Sequence, residues 1–195
     1  MHEPDRLRHF EALYSASDDP WDVRGAWYEQ RKRALLLASL ARPHYASVFE
    51  PGCGNGEMSA ALAPRCARLL ACDGAASALE AARRRLADTP NACFEQRRLP
   101  HDWPHTERFD LIVVSELAYY FSVPDVDAML SAAMACLAPG GELVLCHYLG
   151  EFDDRASTTE AVHGAAHAAP GLRRLLRHRD EQFLLETWRK EGQTG

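Results

Sequence analysis

The sequence lacks three features that would each indicate a particular kind of protein. No stretch approaches the roughly 18 apolar residues of a membrane helix, and the first residues are polar and acidic. The 22 basic side chains are outnumbered by 28 acidic ones, so the net charge of -6 repels phosphate backbones and anionic lipid. We therefore expect no membrane insertion, no secretion signal and no nucleic-acid partner.

Cysteine and metal-ligand motifs are also scarce. The six cysteines include no C-x-x-C pair, and most lie in apolar runs, where a thiol packs as a small hydrophobic group. Reduced thiols indicate a cytoplasmic protein. His163 and His167 have the i, i+4 spacing of zinc ligands, but no acidic or thiol third ligand is evident nearby. We expect no metal site.

The apolar pattern predicts an α/β fold. From Ser47 onward, short apolar runs alternate with longer segments that have the apolar spacing of helices. Short buried strands separated by helices form parallel sheets, because each parallel connection needs a crossover. The predicted strands are 47–50, 68–73, 93–97, 109–115 and 141–147, and the predicted helices between them are 57–63, 77–86 and 123–137.

The two ends of the chain add helices and a hairpin. Residues 158–168 predict a helix, and the runs 172–177 and 183–188 predict an antiparallel hairpin that closes the sheet. Before the first strand, D-P-W-D at 19–22 is typical of a helix start, and 26–40 predicts a second helix. The whole pattern predicts one doubly wound α/β domain with a seven-stranded, mostly parallel sheet and a C-terminal antiparallel hairpin.

A glycine-rich turn, E-P-G-C-G-N-G at 50–56, ends the first strand and opens directly into a helix. Glycines allow a sharp turn and let a ligand approach the backbone. The dinucleotide fingerprint needs a third glycine where this chain has Glu57, and the G-K-[ST] ending of a phosphate-binding loop is absent. Glu50 would repel phosphate oxygens, whereas it suits a cationic cofactor such as S-adenosylmethionine.

A second acid lies where the next strand ends. Asp73 follows Gly52 by 21 residues, and an acid at that strand end can accept hydrogen bonds from both ribose hydroxyls. A further motif, L-A-P-G-G-E-L at 137–143, predicts a helix stop and a tight turn before the fifth strand. Strand, glycine loop, helix, strand and terminal acid in this order indicate an adenosyl cofactor.

Four motifs in this order, E-P-G-C-G-N-G, L-L-A-C-D-G, F-D-L-I-V-V-S-E and L-A-P-G-G-E-L, resemble the class I methyltransferase family over 47–147. Further segments, including D-D-P-W at 18–21, W-Y-E-Q-R-K at 27–32 and S-E-L-A-Y-Y at 115–120, look like the nodulation protein S group. That group includes enzymes that N-methylate the deacetylated end of a chitooligosaccharide.

The resemblance implies a Rossmann-like fold, S-adenosylmethionine as cofactor and S-adenosylhomocysteine as product. It also implies a small-molecule or oligosaccharide acceptor, with an amino sugar as the first candidate. We expect a single domain over 1–195, made of an N-terminal helical cap or lid at 1–44, a cofactor-binding core at 45–150 and a C-terminal helix and hairpin at 151–195.

The cofactor pocket implied by the resemblance surrounds the methionyl part with the glycine loop. Many relatives place an adenine-binding acid where this chain has R-R-L-P at 97–100, and Asp102 comes only later. The backbone at Leu99 can serve instead, and Arg31 can pair with the cofactor carboxylate. The predicted cofactor-binding residues are Tyr28, Arg31, Glu50, Gly52, Gly54, Asn55, Gly56, Asp73, Gly74, Leu99 and Ser115.

The predicted acceptor site follows strands four and five, because ligands of open α/β sheets lie beyond the carboxyl ends of the strands. Glu116 can hold an amine and accept its proton, or it can simply orient the backbone. An amine needs no strong base, whereas an alcohol acceptor would make His147 or His163 the base. The predicted catalytic residues are Glu116, Tyr120 and His147, and the predicted substrate-binding residues are Trp21, Glu116, Tyr119, Tyr120, His147 and His163.

Several alternatives stay open. The aromatic stripe of Trp21, Trp27 and Tyr28 either folds over the cofactor as a lid or packs against the sheet edge. The function can instead be O- or N-methylation of another small metabolite, or S-adenosylmethionine binding without catalysis. An NAD-dependent oxidoreductase would require pyrophosphate to bind beside Glu50 and Glu57. The sequence does not indicate an oligomeric state.

Overall fold

The computed structural model describes residues 3–192, which divide into two compact units, one ending at Leu99 and the other beginning at Pro100. The predicted single domain over 1–195 includes residues at both ends that lie outside the described ones, and it stays a prediction. The predicted fold class is confirmed: the chain is α/β, with a seven-stranded, mostly parallel sheet and an antiparallel C-terminal hairpin.

The first unit contains three mutually parallel strands and four α-helices. The middle strand pairs with both others, and its apolar residues 69–72 are fully buried, as expected for a strand covered on both faces. A single 3-10 turn precedes it. The elements are α1 (Glu3–Ala16), α2 (Trp27–Ser39), β1 (Tyr45–Pro51), α3 (Glu57–Leu62), β2 (Cys66–Asp73), α4 (Ala76–Arg85) and β3 (Ala92–Gln96).

The second unit contains four strands and two α-helices. Strand β5 is parallel to β4 and antiparallel to β7, which pairs with β6 as the terminal hairpin. Each helix begins at a hydroxyl cap, since Ser122 and Thr158 accept hydrogen bonds from backbone N–H groups in the first turn. The elements are β4 (Phe109–Ser115), α5 (Val123–Cys136), β5 (Leu137–Tyr148), α6 (Thr159–Ala168), β6 (Leu172–Arg179) and β7 (Phe183–Lys190).

Two local predictions are wrong. Residues 19–22 do not start a helix: the Asp19 carboxylate accepts the N–H groups of Val23 at 2.8 Å and Arg24 at 3.1 Å, which closes a local turn. The motif at 137–143 follows the end of α5 at Cys136, as predicted, but it lies within β5 rather than before it, with Gly140 at a φ of 72° and an irregular register opposite β4. Helix α1 was not predicted as an element of its own, although it lies within the predicted helical cap at 1–44, and the other elements match within a few residues.

Candidate functional site

The glycine loop has a backbone conformation that explains its glycines. Gly52, Gly54 and Gly56 have φ values of 73°, 53° and 82°, in the left-handed region where a side chain is strained. The N–H groups of Gly52 and Cys53 both donate to the Cys72 carbonyl, at 2.7 Å and 2.9 Å. The loop therefore turns sharply at the end of β1 and is fixed to the end of β2.

Two of these glycines also lack room for a side chain. A Cβ on Gly56 would lie 3.0 Å from the Ala82 Cβ and 3.1 Å from a Leu86 methyl, so this glycine lets α3 and α4 pack closely. A Cβ on Gly54 would collide with the Tyr14 hydroxyl. The close approach at Gly56 is thus a packing requirement, while Gly54 lies directly beneath α1.

Glu50 is a buried acid at the end of β1. Its carboxyl oxygen Oε2 accepts a 2.5 Å hydrogen bond from the Ser59 hydroxyl, and 4% of the residue is exposed. Burial raises the pKa of Glu50 to about 8, with a further contribution from the charge of Asp73, while the Ser59 hydrogen bond opposes the shift. The carboxyl is therefore mostly neutral at pH 7 in the structure, ready to ionise beside a cation.

Asp73 ties the end of β2 to the glycine loop. Its Oδ2 accepts the Gly54 N–H at 2.9 Å and its Oδ1 accepts the Ala75 N–H at 2.9 Å. Burial raises the pKa of Asp73, although these backbone hydrogen bonds favour its ionised form. Only a ribose-binding role was predicted for Asp73 from the sequence, and its role in shaping the loop was not predicted.

Helix α1 contacts three of the predicted cofactor positions. Its Tyr14 hydroxyl lies against Gly54, a Leu7 methyl lies against Gly74, and the buried Arg6 donates from Nη2 to the Leu99 carbonyl at 3.2 Å. The apolar spacing of Leu7, Phe10 and Tyr14, at i, i+3 and i+7, is the signal that could have found this helix.

Asn55 donates hydrogen bonds to the loop before α2. Its Nδ2 donates to the Asp18 carbonyl at 2.9 Å and to the Asp19 Oδ1 at 3.2 Å. Next to it, Glu57 forms ion pairs with Arg24 at 3.1 Å and Arg85 at 2.6 Å. These contacts hold residues 18–24 beside the glycine loop, so the predicted cofactor role of Asn55 would be additional to a structural one.

The residues of the predicted aromatic stripe differ in their surroundings. Trp27 is 73% exposed, whereas Trp21 is 44% exposed and its ring centroid lies 5.6 Å from that of Tyr14 on α1. The Tyr28 ring instead faces the Lys32 ammonium at 4.8 Å, and Arg31 is half-buried on the same helix. The cofactor roles of Tyr28 and Arg31 and the substrate role of Trp21 stay predictions.

In the second unit, Glu116 follows β4 with a left-handed backbone. Its φ is 53°, and its N–H donates to the Cys146 carbonyl at 2.9 Å. The side-chain Oε2 accepts the Tyr119 hydroxyl and, at 3.0 Å, the Tyr148 N–H. Ser115, the last residue of β4, pairs with Cys146. A non-glycine residue with this φ costs about 1 kcal/mol and is typical of functional sites.

An aromatic cluster adjoins Glu116. The ring centroids of Tyr119 and Tyr120 are 4.9 Å apart, and Phe152 lies 4.9 Å from Tyr119 and 5.6 Å from Tyr120. The Arg155 guanidinium stacks over Phe152 at 4.7 Å and over Tyr119 at 5.3 Å. The sequence analysis missed Phe152 and Arg155, although they belong to the loop directly after β5.

Tyr120 is poorly suited to act as a base. Burial raises the pKa of its hydroxyl, and the negative charges of Glu116 and Asp154 raise it further, while Tyr119 and Arg155 oppose the shift. At physiological pH the hydroxyl is therefore neutral. Its suitable role is hydrogen bonding and ring stacking, and the predicted catalytic role stays a prediction.

His147 and His163 lie together in the interior. The Nε2 of His147 accepts the Ala118 N–H at 3.2 Å, and its Nδ1 lies 3.1 Å from the His163 Nε2. The Nδ1 of His163 lies 2.8 Å from the Glu186 Oε2. Both nitrogens of each ring thus have protein partners, whereas the sequence analysis expected these rings to face the acceptor.

Two features are absent from residues 3–192. No group of three or more His, Cys, Asp or Glu side chains in this range is arranged to hold a metal ion. Within the same range, no helix combines the length and the apolar character needed to cross a membrane.

The family and the solved structures that this chain resembles are methyltransferases. Residues 48–141 match the family described as a methyltransferase domain. A protein from Pseudomonas syringae, assigned as a methyltransferase, is 46% identical, with a TM-score of 0.75 over 84% of this chain and 99% of its own. The N-methyltransferase NodS from Bradyrhizobium japonicum WM9, solved with S-adenosylhomocysteine, is 26% identical, with a TM-score of 0.84 over 94% of this chain and 97% of its own.

Curated sequences give a similar result over a shorter range. Nodulation protein S from Rhizobium tropici is 35% identical over 131 residues, which are 66% of this chain and 55% of that protein. The chain spans 55% to 62% of the length of the curated nodulation proteins it matches.

Proposed function

The chain belongs to the methyltransferase-domain family, and from that premise we propose that it methylates the amine of a small molecule with S-adenosylmethionine. The proposed acceptor is an amino sugar, such as the deacetylated end of a chitooligosaccharide. The observation that carries this proposal is the Glu116 carboxylate, which is fixed by two hydrogen bonds beside the cluster of Tyr119, Tyr120 and Phe152. A carboxylate next to aromatic rings favours a cationic or amine ligand over an anionic one.

The residues of the glycine loop fit the proposed cofactor. The left-handed glycines leave the turn of the loop without side chains at three positions, and Glu50 can ionise beside an ammonium group. In this proposal Asp73 accepts the ribose hydroxyls, and it also holds the Gly54 N–H. When bound, S-adenosylmethionine supplies an electrophilic methyl group, to which the acceptor nitrogen bonds as the carbon–sulfur bond breaks and its electron pair stays on sulfur.

Glu116 has two tasks in this proposal. The acceptor nitrogen must present a free lone pair, and an amine with a pKa near the α-amino reference of about 7.7 to 8.0 is partly neutral at physiological pH. Glu116 holds that amine, and it or solvent takes the proton that the methylated nitrogen releases. Because no strong base is needed, alignment is the main contribution of the protein.

An acceptor panel tests this proposal. The purified chain is incubated with S-adenosylmethionine and a deacetylated chitooligosaccharide, its N-acetylated counterpart, a simple amine, a phenol or a polycarboxylate, and S-adenosylhomocysteine is quantified by mass spectrometry. We expect product with the free amino sugar and none with the N-acetylated control, which has no basic nitrogen. Turnover of only the phenol or the polycarboxylate would overturn the amine assignment. No turnover with any acceptor would favour a protein that binds the cofactor without catalysis.

Calorimetry tests the cofactor separately. S-adenosylmethionine, S-adenosylhomocysteine and NAD are titrated in parallel into the same preparation. We expect the two adenosyl-sulfur compounds to bind in the micromolar range and NAD not to bind. Preferential binding of NAD would overturn the cofactor assignment and favour an oxidoreductase.

A further inference from the structure

A line of buried polar groups crosses the second unit from β7 to the turn at Ala118–Tyr120. It connects Glu186 on β7, His163 on α6, His147 on β5 and the backbone N–H of Ala118, through contacts of 2.8, 3.1 and 3.2 Å. The three residues are 2%, 4% and 0% exposed. Buried polar groups are costly unless each has a partner. A continuous line of satisfied groups therefore fixes the relative positions of the side chains that it joins.

The donor at one end of this line fixes the hydrogens on both rings. The Ala118 N–H can donate to the His147 Nε2 only if that nitrogen carries no hydrogen. A neutral His147 then carries its hydrogen on Nδ1 and donates to the His163 Nε2. His163 must in turn carry its hydrogen on Nδ1 and donate to Glu186. One arrangement of hydrogens therefore satisfies every link.

At the opposite end of the line, positively charged side chains hold the Glu186 carboxylate. Burial alone would raise the pKa of Glu186, but the hydrogen bond from His163 and the positive charges around the carboxylate, Arg174 and Arg177 among them, outweigh it, so the pKa is lowered. The two arginines on β6 reach the Glu186 Oε1 at 3.0 Å and 3.4 Å. The ionised carboxylate keeps His163 oriented with Nδ1 toward β7.

The turn at the other end carries the proposed acceptor groups. Ala118 lies between Glu116 and Tyr119, whose hydroxyl donates to the Glu116 carboxylate. The His147 ring also packs edge-on against the Tyr119 ring, with centroids 5.2 Å apart. His147 therefore contacts this turn twice, through the Ala118 N–H and through the Tyr119 ring.

We propose that Glu186, His163 and His147 are positioning residues that orient the turn carrying Glu116 and Tyr119 for the acceptor. This inference rests on the proposed function for its effect on catalysis, but not for the arrangement of hydrogens. His147 and His163 do not act as bases here, since their nitrogens are engaged with one another and with Ala118 and Glu186.

Substitutions of His163 test the proposal. His163→Leu removes both hydrogen bonds, whereas His163→Gln keeps one acceptor and one donor, and the exposed His167→Leu on the same helix is the matched control. We expect His163→Leu to lower acceptor kcat/KM at least 10-fold with unchanged S-adenosylhomocysteine affinity, and His163→Gln to recover most of the loss. Equal losses in the Leu and Gln variants, or an equal loss of cofactor affinity, would overturn the positioning role.

Nitrogen NMR of labelled histidines tests the same line without any acceptor. We expect both His147 and His163 to be neutral, with hydrogen on Nδ1, and Arg174→Met, at the exposed end, to shift the His163 signals. Hydrogen on the Nε2 of either ring would overturn the proposed arrangement. If the NMR result holds while no amine is methylated, the proposed function fails and the hydrogen-bonded line stands.

Discussion

At the scale of single residues, the proposed function depends on three acids with different surroundings. Glu50 is buried and mostly neutral, Asp73 accepts two backbone N–H groups, and Glu116 accepts one hydroxyl and one N–H group. The sequence identified all three from their places at strand ends. It could not reveal the raised pKa values of Glu50 and Asp73, because burial and hydrogen-bond partners depend on contacts between distant segments.

Glu50 should make cofactor binding depend on pH. Because burial raises its pKa from 4.5 to about 8, the stabilisation from its neutral form is fully present below about pH 4.5 and is lost as the pH rises through about 8. A cationic cofactor favours the ionised form, so binding near pH 7 should release a proton. Calorimetry in two buffers of different ionisation enthalpy should give different heats, and Glu50→Gln should abolish the difference. Identical heats for the unsubstituted protein would contradict this.

Asp73 should be more important for cofactor affinity than its charge alone suggests, because it also holds Gly54. Asp73→Asn should weaken S-adenosylhomocysteine binding by roughly 10- to 150-fold, which corresponds to losing a hydrogen bond to a charged group. The exposed Asp88→Asn in the same unit is the control for charge removal. Equal affinities in Asp73→Asn and the control, measured by calorimetry, would exclude the ribose role.

Glu116 should be needed for methylation even though its left-handed backbone lowers the stability of the protein. Glu116→Gly and Glu116→Ala both remove the carboxylate, so acceptor kcat/KM should fall roughly 10- to 100-fold in both. Only glycine relieves the left-handed backbone, a penalty of about 1 kcal/mol, so Glu116→Gly should unfold at a higher temperature than Glu116→Ala. Retained amine methylation in both variants would show that Glu116 merely orients the backbone.

At the scale of elements, the periodicity of apolar residues predicted the helices and strands that have a strong local pattern. The strands and crossover helices were found because their apolar runs are short, buried and regularly separated. Residues 19–22 have the composition of a helix start, but the Asp19 carboxylate satisfies a local turn and an Asn55 amide instead. The helix start was predicted wrongly because that amide comes from a distant part of the chain.

Helix α1 should control how fast the cofactor leaves, since it contacts the glycine loop and the Leu99 carbonyl. Tyr14→Ala removes the contacts with Gly54 and Trp21. Stopped-flow measurements should show S-adenosylhomocysteine dissociating roughly 2- to 12-fold faster, as expected for losing one aromatic pair. Arg8→Ala, on the exposed side of the same helix, should leave the rate unchanged. An unchanged rate in Tyr14→Ala would mean that α1 does not restrict release.

At the scale of the whole molecule, the fold and the glycine loop were predictable and the acceptor side was only partly so. The loop is contiguous in sequence, so its spacing could be read directly. The line from Glu186 to His147 instead joins three elements, and Phe152 and Arg155 come from a loop without a motif. These residues come together only in the folded chain. They could not be identified as a group from the sequence, because no local spacing relates them.

The most direct test of the account is to locate the transferred methyl group. An isotopically labelled S-adenosylmethionine methyl group is offered with an oligosaccharide that carries one free amine and many hydroxyls, and the product is fragmented in a mass spectrometer. We expect the label on the amine nitrogen, with label transfer greatly reduced in Glu116→Gln. Label on a hydroxyl oxygen would contradict it.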